Sequence, residues 1–259
     1  MSLFNRLHPS NLTARVERTV FRTSRALGVM HMVLPGHASF LDFCKLNARS
    51  STSQIDQDLF VLWVLGMKRG GYFVEVGAAS GVALSNSCLL ERSFGWHGIC
   101  AEPGRGWHAQ LHAERSCIID ERCVWSESGA RLDFMECAAA EFSTLASFAA
   151  SDGHRRIGHA GGPYTVESVS LTDLLTQHHA PKVVDYLSID TEGSELEILK
   201  AHDFTRFQFR VITVEHNKVA GRRAALSSLL SGAGYRRLMP SLSAFDDWYV
   251  HQSVFMSAP

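Results

Sequence analysis

The sequence has no Cys-x-x-Cys pair: Cys44, Cys88, Cys100, Cys117, Cys123 and Cys137 are scattered along it. That scatter excludes the tight disulfide frameworks of small secreted domains and points to reduced thiols in a cytoplasmic protein. No charge of either sign dominates. With 25 Lys and Arg against 26 Asp and Glu, there is no global field to gather nucleic acid or an anionic membrane, so nucleic acid is not expected as a partner. Long apolar runs are missing too. Val29 to Leu34 is too short to span a bilayer, and the segment before it, with Arg15, Arg18, Arg22 and Arg25 among apolar residues, reads as neither a transmembrane helix nor a signal peptide. The Gly-x-Gly-x-x-Gly turn of dinucleotide sites is also absent, which disfavours a nicotinamide oxidoreductase.

What is present is an ordinary globular composition, 46% hydrophobic and 20% charged, which argues against disorder and fibrous repeats. A chain of 259 residues can bury a substantial core in one large domain. Residues 1–50, with a Pro35-Gly36 turn and a polar stretch from Asn47 to Ser53, read as an N-terminal helical extension or linker. Residues 51–259 read as the main domain. Apolar residues recur at helical spacing from Asp56 to Met67 and stop at Lys68-Arg69-Gly70-Gly71. Short apolar runs at Tyr72–Val76 and His97–Ala101 suit parallel strands covered on both faces, with helices expected over Val82–Ser93 and on to about Ala113. This is the rhythm of a doubly wound α/β fold. A third strand region follows at Ile118–Trp125, then a short hairpin at Leu132–Glu136. The stretch from Ala138 to Tyr164, with Gly153, Gly158, Gly161 and Gly162, reads as a mobile cover over the site. The rhythm resumes with helices at Ser170–His178, Ser194–Ala201 and Ala224–Ser231, strands at Val183–Ile189 and Arg210–Val214, and an antiparallel closing pair at Gly234–Leu238 and Trp248–Phe255.

Two turns carry chemistry. Glu75-Val76-Gly77 ends a core strand, and Gly81 follows before a helix; glycines there let backbone amides approach a ligand at the carboxyl edge of a parallel sheet. The Gly-x-x-x-Gly spacing lacks the glycine that makes room for a pyrophosphate, so a ligand without phosphates fits better. S-adenosylmethionine is such a ligand, and Glu102, ending the next strand, is placed to hold its ribose diol. The second turn, Asp190-Thr191-Glu192-Gly193-Ser194-Glu195, sets carboxylates after a later core strand. It lies beside the glycine loop if that strand is the fourth; helix capping by Thr191 or Ser194 is the alternative. His108 and His112 have the i, i+4 spacing of a metal pair, but without a further ligand they read as surface histidines.

Several separate stretches, in order, resemble the FkbM-type methyltransferases: Ser53-Gln54-Ile55-Asp56-Gln57-Asp58, Phe73–Gly77, Gly95–Pro103, Asp185–Glu195, Val214-Glu215-His216-Asn217 and Asp246-Asp247-Trp248. The resemblance implies a class I methyltransferase (Rossmann-like) fold: a doubly wound, mostly parallel seven-stranded sheet with an antiparallel edge strand. It also implies S-adenosylmethionine as cofactor. Carried over by residue, Gln54, Asp58, Glu75, Gly77, Ala78, Ser80, Gly81, Glu102, Pro103 and Asp190 would surround the cofactor, with Ser126 and Cys123 to Trp125 near the adenine. Asp190, Glu192 and the Glu215-His216-Asn217 turn would face the acceptor, with Asp190, Glu192 and His216 as catalytic residues and Asp190 or His216 serving as base.

Asp190, and Glu215 with His216 or Asn217, further resemble the divalent-metal positions of catechol-type O-methyltransferases, whose oxygen-rich sites suit magnesium. The plainer alternative has Glu215 and His216 bonded to each other and to the substrate. The reaction implied is O-methylation of a sugar, glycan or glycosylated natural product, with a small molecule or glycan as acceptor; a homo-oligomer is compatible with it. A rival of another class is a catalytically silent scaffold that uses the fold and the N-terminal arm to bind a protein or membrane partner.

Overall fold

The computed structural model describes residues 40–137, 143–148 and 162–256. The arm before residue 40, and Gly153, Gly158 and Gly161 of the expected cover, lie outside the described residues. The described strands in chain order are β1 (Tyr72–Val76), β2 (His97–Ala101), β3 (Ile118–Asp120), β4 (Cys123–Trp125), β5 (Arg131–Met135), β6 (Thr144–Leu145), β7 (Tyr164–Ser170), β8 (Val183–Ile189), β9 (Gln208–Glu215), β10 (Tyr235–Leu238) and β11 (Asp246–His251).

Seven of them form one sheet in the order β10-β11-β9-β8-β1-β2-β3. Parallel pairing joins β3 to β2, β2 to β1, β1 to β8 and β8 to β9. The reversed strand, β11, pairs antiparallel with both β9 and β10 and so lies one place in from the edge. Alternate residues feed two apolar layers, as the two-residue strand period requires. Val74, Ile99, Leu187 and Ile212 pack with Leu174, Ile198 and Leu226 on one face; Phe73, Tyr186, Val211 and Trp248 pack with Phe60, Leu90 and Leu111 on the other. Phe40 joins the second layer, its ring centroid 5.9 Å from Phe60 and 5.5 Å from Trp63, which fastens the helix Phe40–Asn47 to the domain.

Four local expectations need correction. The helix expected from Val82 begins only at Cys88, because Glu75 captures the chain first: its carboxylate accepts the Ser85 hydroxyl at 2.9 Å, the Asn86 amide at 2.6 Å and the Ser87 hydroxyl. The region Ile118–Trp125 is two strands, not one. Arg122 folds its amide and guanidinium back onto Asp120, so β3 stays in the main sheet while β4 crosses to a second sheet of order β4-β7-β5-β6. Within that second sheet β7, which spans the stretch between the expected cover and the expected helix at Ser170, carries Val166, Ser168 and Val169 inward. Last, Asp246 and Asp247 open β11 rather than precede it, and the chain turns into a short helix at Gln252.

Candidate functional site

The crevice lies where the sheet order reverses. From β1 the chain proceeds to β2 on one side, while β8 pairs on the other, and ligands of open α/β sheets bind outside the strand ends at such a point. Gly77 ends β1 and Asp190 follows β8. The Asp190 amide donates to the Val76 carbonyl at 3.0 Å, and a Cβ on Gly77 would stand 1.7 Å from the Asp190 carbonyl oxygen, with φ at +83°. Only glycine lets the two turns touch. Both residues line one cavity of about 420 Å³, a size suited to a small-molecule site.

At one end of the cavity stands Glu102. It is buried, with Oε2 accepting the Ala79 amide at 2.8 Å and Oε1 the Gly104 amide at 2.7 Å. Burial pushes its pKa up to about 7, against the pull of those two amides. Each oxygen keeps a lone pair, so the carboxylate can accept two neighbouring hydroxyls. Beside it Trp107, Cys123, Val124, Phe134 and Leu145 form an apolar wall. Trp107 was not singled out in the sequence; its only signal is an indole one turn into the helix after Glu102.

Gln54, Glu75, Ala78 and Pro103 also line the cavity. Glu75 is spent on its own chain, gripping Ser85, Asn86 and Ser87, with Arg115 Nη1 at 3.5 Å. Three other residues expected at the cofactor, Asp58, Ser80 and Gly81, make contacts within the scaffold. Asp58 accepts the Ser51 and Ser53 hydroxyls at 2.7 Å and the Thr52 amide at 2.8 Å, which pins that segment to the glycine loop through Thr52 and the Ser85 carbonyl. The Ser80 hydroxyl accepts the Ala83 amide at 3.2 Å. Gly81 is glycine because a Cβ would stand 2.5 Å from Leu111 and 2.7 Å from Arg115. Ser126 lies beyond the wall residues Cys123 and Val124 that reach the cavity. Gln57, beside Gln54 and Asp58 in the same segment, lines it and donates to Asp246 at 2.9 Å.

The other end is acidic. One carboxylate oxygen each from Asp190, Glu192 and Glu215 lie within 4.8 Å of one another. Burial first, then the charge of Glu192, raises Asp190 well above the carboxylate range; burial and Asp190 do the same to Glu215. Asn217 Nδ2 donates to Glu192 at 3.1 Å and to Glu215 at 2.8 Å. His216, expected as a base, is not available as one. Its Nδ1 accepts the Lys218 amide at 2.9 Å and its Nε2 faces the Asp246 carbonyl at 3.1 Å, so both ring nitrogens are spent and the ring locks the turn. Nor does it bond Glu215, whose partner is Asn217. Oxygen donors of this kind are those a hard divalent cation accepts. His108 and His112 lie apart from this cluster, both turned to Glu121.

Residues 75–248 match the Methyltransferase FkbM domain family. No curated protein matches the chain. Among solved structures, a precorrin-6y C5,15-methyltransferase from Geobacter metallireducens is 14% identical over 70% of this chain and 71% of its own, with a TM-score of 0.37. A human methyltransferase 10 domain containing protein is also 14% identical, over 92% and 95%, with a TM-score of 0.38. The family match spans both turns of the crevice, the Glu102 end and the acidic end: this chain belongs to the FkbM methyltransferase family.

Proposed function

We propose that the protein transfers the methyl group of S-adenosylmethionine to a hydroxyl of a sugar, glycan or glycosylated natural product. The observation that supports this most is that Glu102 and the Asp190, Glu192 and Glu215 carboxylates face one cavity from opposite ends of the Gly77 turn. Glu102 holds the ribose diol, and Trp107, Val124 and Phe134 cover the adenine. The cofactor supplies a methyl carbon on a sulfonium, displaced in line with the S–C bond electrons passing to sulfur. What remains for the protein is to align the acceptor oxygen and take its proton as the C–O bond forms. Asp190, in its ionised form, takes that proton: its turn touches Gly77, its carboxyl lies in the cluster, and its raised pKa makes the carboxylate a stronger base. A second reading draws on the three oxygens within 4.8 Å: Asp190, Glu192 and Glu215 would hold a divalent cation such as magnesium, which lowers the pKa of a coordinated hydroxyl.

The test is to supply methyl-labelled cofactor with host extracts and identify the labelled product, with and without EDTA. An O-methyl ether on a hydroxylated acceptor is expected. A labelled amine or carbon overturns the choice of acceptor, and no calorimetric heat with S-adenosylmethionine favours the silent scaffold.

A further inference from the structure

Three residues of the acidic end have backbone that side chains rarely adopt. Glu192, Asn217 and Lys218 all have left-handed backbones, with φ of 58°, 48° and 60°. Such conformations persist in residues other than glycine only where the surroundings fix them. At Asn217 and Lys218 the buried His216 does so, accepting the Lys218 amide at Nδ1 while its carbonyl accepts the Val219 amide at 2.9 Å. The result of this forced turn is that a single side-chain amide reaches two carboxylates from different strands. One N–H of Asn217 goes to Glu192, on the turn after β8, and the other to Glu215, at the end of β9. The three carboxyl groups converge within 4.8 Å of one another, and the Asn217 amide donates to two of them while itself lining the cavity.

Resting on the methyl-transfer reading above, we propose that Asn217 is a positioning residue, whose amide clamps Glu192 and Glu215 together so that they and Asp190 meet the acceptor as one preorganised group. The residue closes no apolar core. Its side chain is half-buried at the cavity wall, and a strained turn is the cost of placing it there.

Two variants test this. Asn217→Gly suits the left-handed backbone and removes the amide. Asn217→Asp keeps the shape and exchanges the donor for a third acceptor between the two glutamates. Both are expected to bind S-adenosylhomocysteine within about twofold of wild type, because the cofactor's adenosine end is untouched. For the acceptor found by labelling, kcat falls about tenfold or more while KM for S-adenosylmethionine stays level, the signature of a lost transition-state contact. A crystal structure of Asn217→Gly should show Glu192 turned away from Glu215. The clamp is overturned if those carboxylates keep their wild-type separation in that structure, or if either variant turns over at the wild-type rate. Should the wild-type protein bind no S-adenosylhomocysteine, the methyl-transfer reading fails, and the crystal structure alone still decides whether Asn217 holds the pair.

Discussion

Glu102 should make nucleoside binding depend on pH across neutrality. Its carboxylate is held to about 7 in the folded protein, and it is the ionised form that accepts two ribose hydroxyls. With that pKa, about one molecule in eleven is ionised at pH 6 and about ten in eleven at pH 8, so affinity should rise up to about tenfold between them. The suitable probe is 5′-methylthioadenosine, which carries the diol but no amino-acid tail to titrate. Isothermal titration at pH 6, 7 and 8 should show the rise in wild type and a flat profile in Glu102→Gln. The same group also acts on stability, with the sign fixed by the direction of the shift. Because the folded pKa lies above the ordinary 4.5, the unliganded fold gains from the neutral form below about pH 4.5 and loses that gain, roughly 3 kcal/mol, as pH rises through 7. The thermal midpoint of wild type should therefore decline relative to Glu102→Gln over that window. A flat binding profile in wild type, or a slope that survives in Glu102→Gln, refutes Glu102 as the ribose ligand.

Other substitutions separate chemistry from scaffold. Asp190→Ala should keep S-adenosylhomocysteine affinity within about tenfold while abolishing methyl transfer; retained turnover removes Asp190 as the base. Gly77→Ala drives a Cβ against the Asp190 carbonyl oxygen at 1.7 Å, so a loss of several kcal/mol should appear as a collapsed melting transition, and a normal melt would show that the two turns do not touch. Arg115, whose side chain is fully buried, bonds Glu91 Nε to Oε2 at 2.6 Å and the Gly81 carbonyl at 3.0 Å. Removing it as Arg115→Ala strands Glu75 and Glu91 and should cost about 3–5 kcal/mol in urea unfolding.

The parallel strands were legible residue for residue at Tyr72–Val76, His97–Ala101 and Val183–Ile189, because strands buried on both faces must be apolar runs. Where polar side chains decide the path, apolar pattern gives no warning. Glu75 gathering Ser85, Asn86 and Ser87 delays a helix that Val82 and Leu84 otherwise suit, and Arg122 folding onto Asp120 splits one expected strand into two sheets. β7 alternates threonine, glutamate and serine with valine and lies against a glycine-bearing stretch, so its weak signal merged with its surroundings. At the site, glycines and acids at strand ends marked Gly77, Glu102 and Asp190 correctly as neighbours of one cavity. Proximity in sequence misled at His216, which sits beside Glu215 but turns into the fold, and at Ser80, Gly81 and Asp58, whose side chains or shape serve the loop itself. Asn217 was legible as part of the Glu215-His216-Asn217 turn but its bonds to two carboxylates were not, and Trp107 carries no spacing signature. Their importance comes from a turn forced into left-handed backbone and from the wall that a second sheet builds.

The crevice itself is tested most directly by a crystal structure of the protein grown with S-adenosylhomocysteine. The expected density places the ribose diol on the Glu102 carboxylate, the adenine against Trp107 and the sulfur beside the Gly77 turn facing Asp190. Density for the nucleoside anywhere else on the molecule, with the Glu102 carboxylate left to its two backbone amides alone, would contradict it.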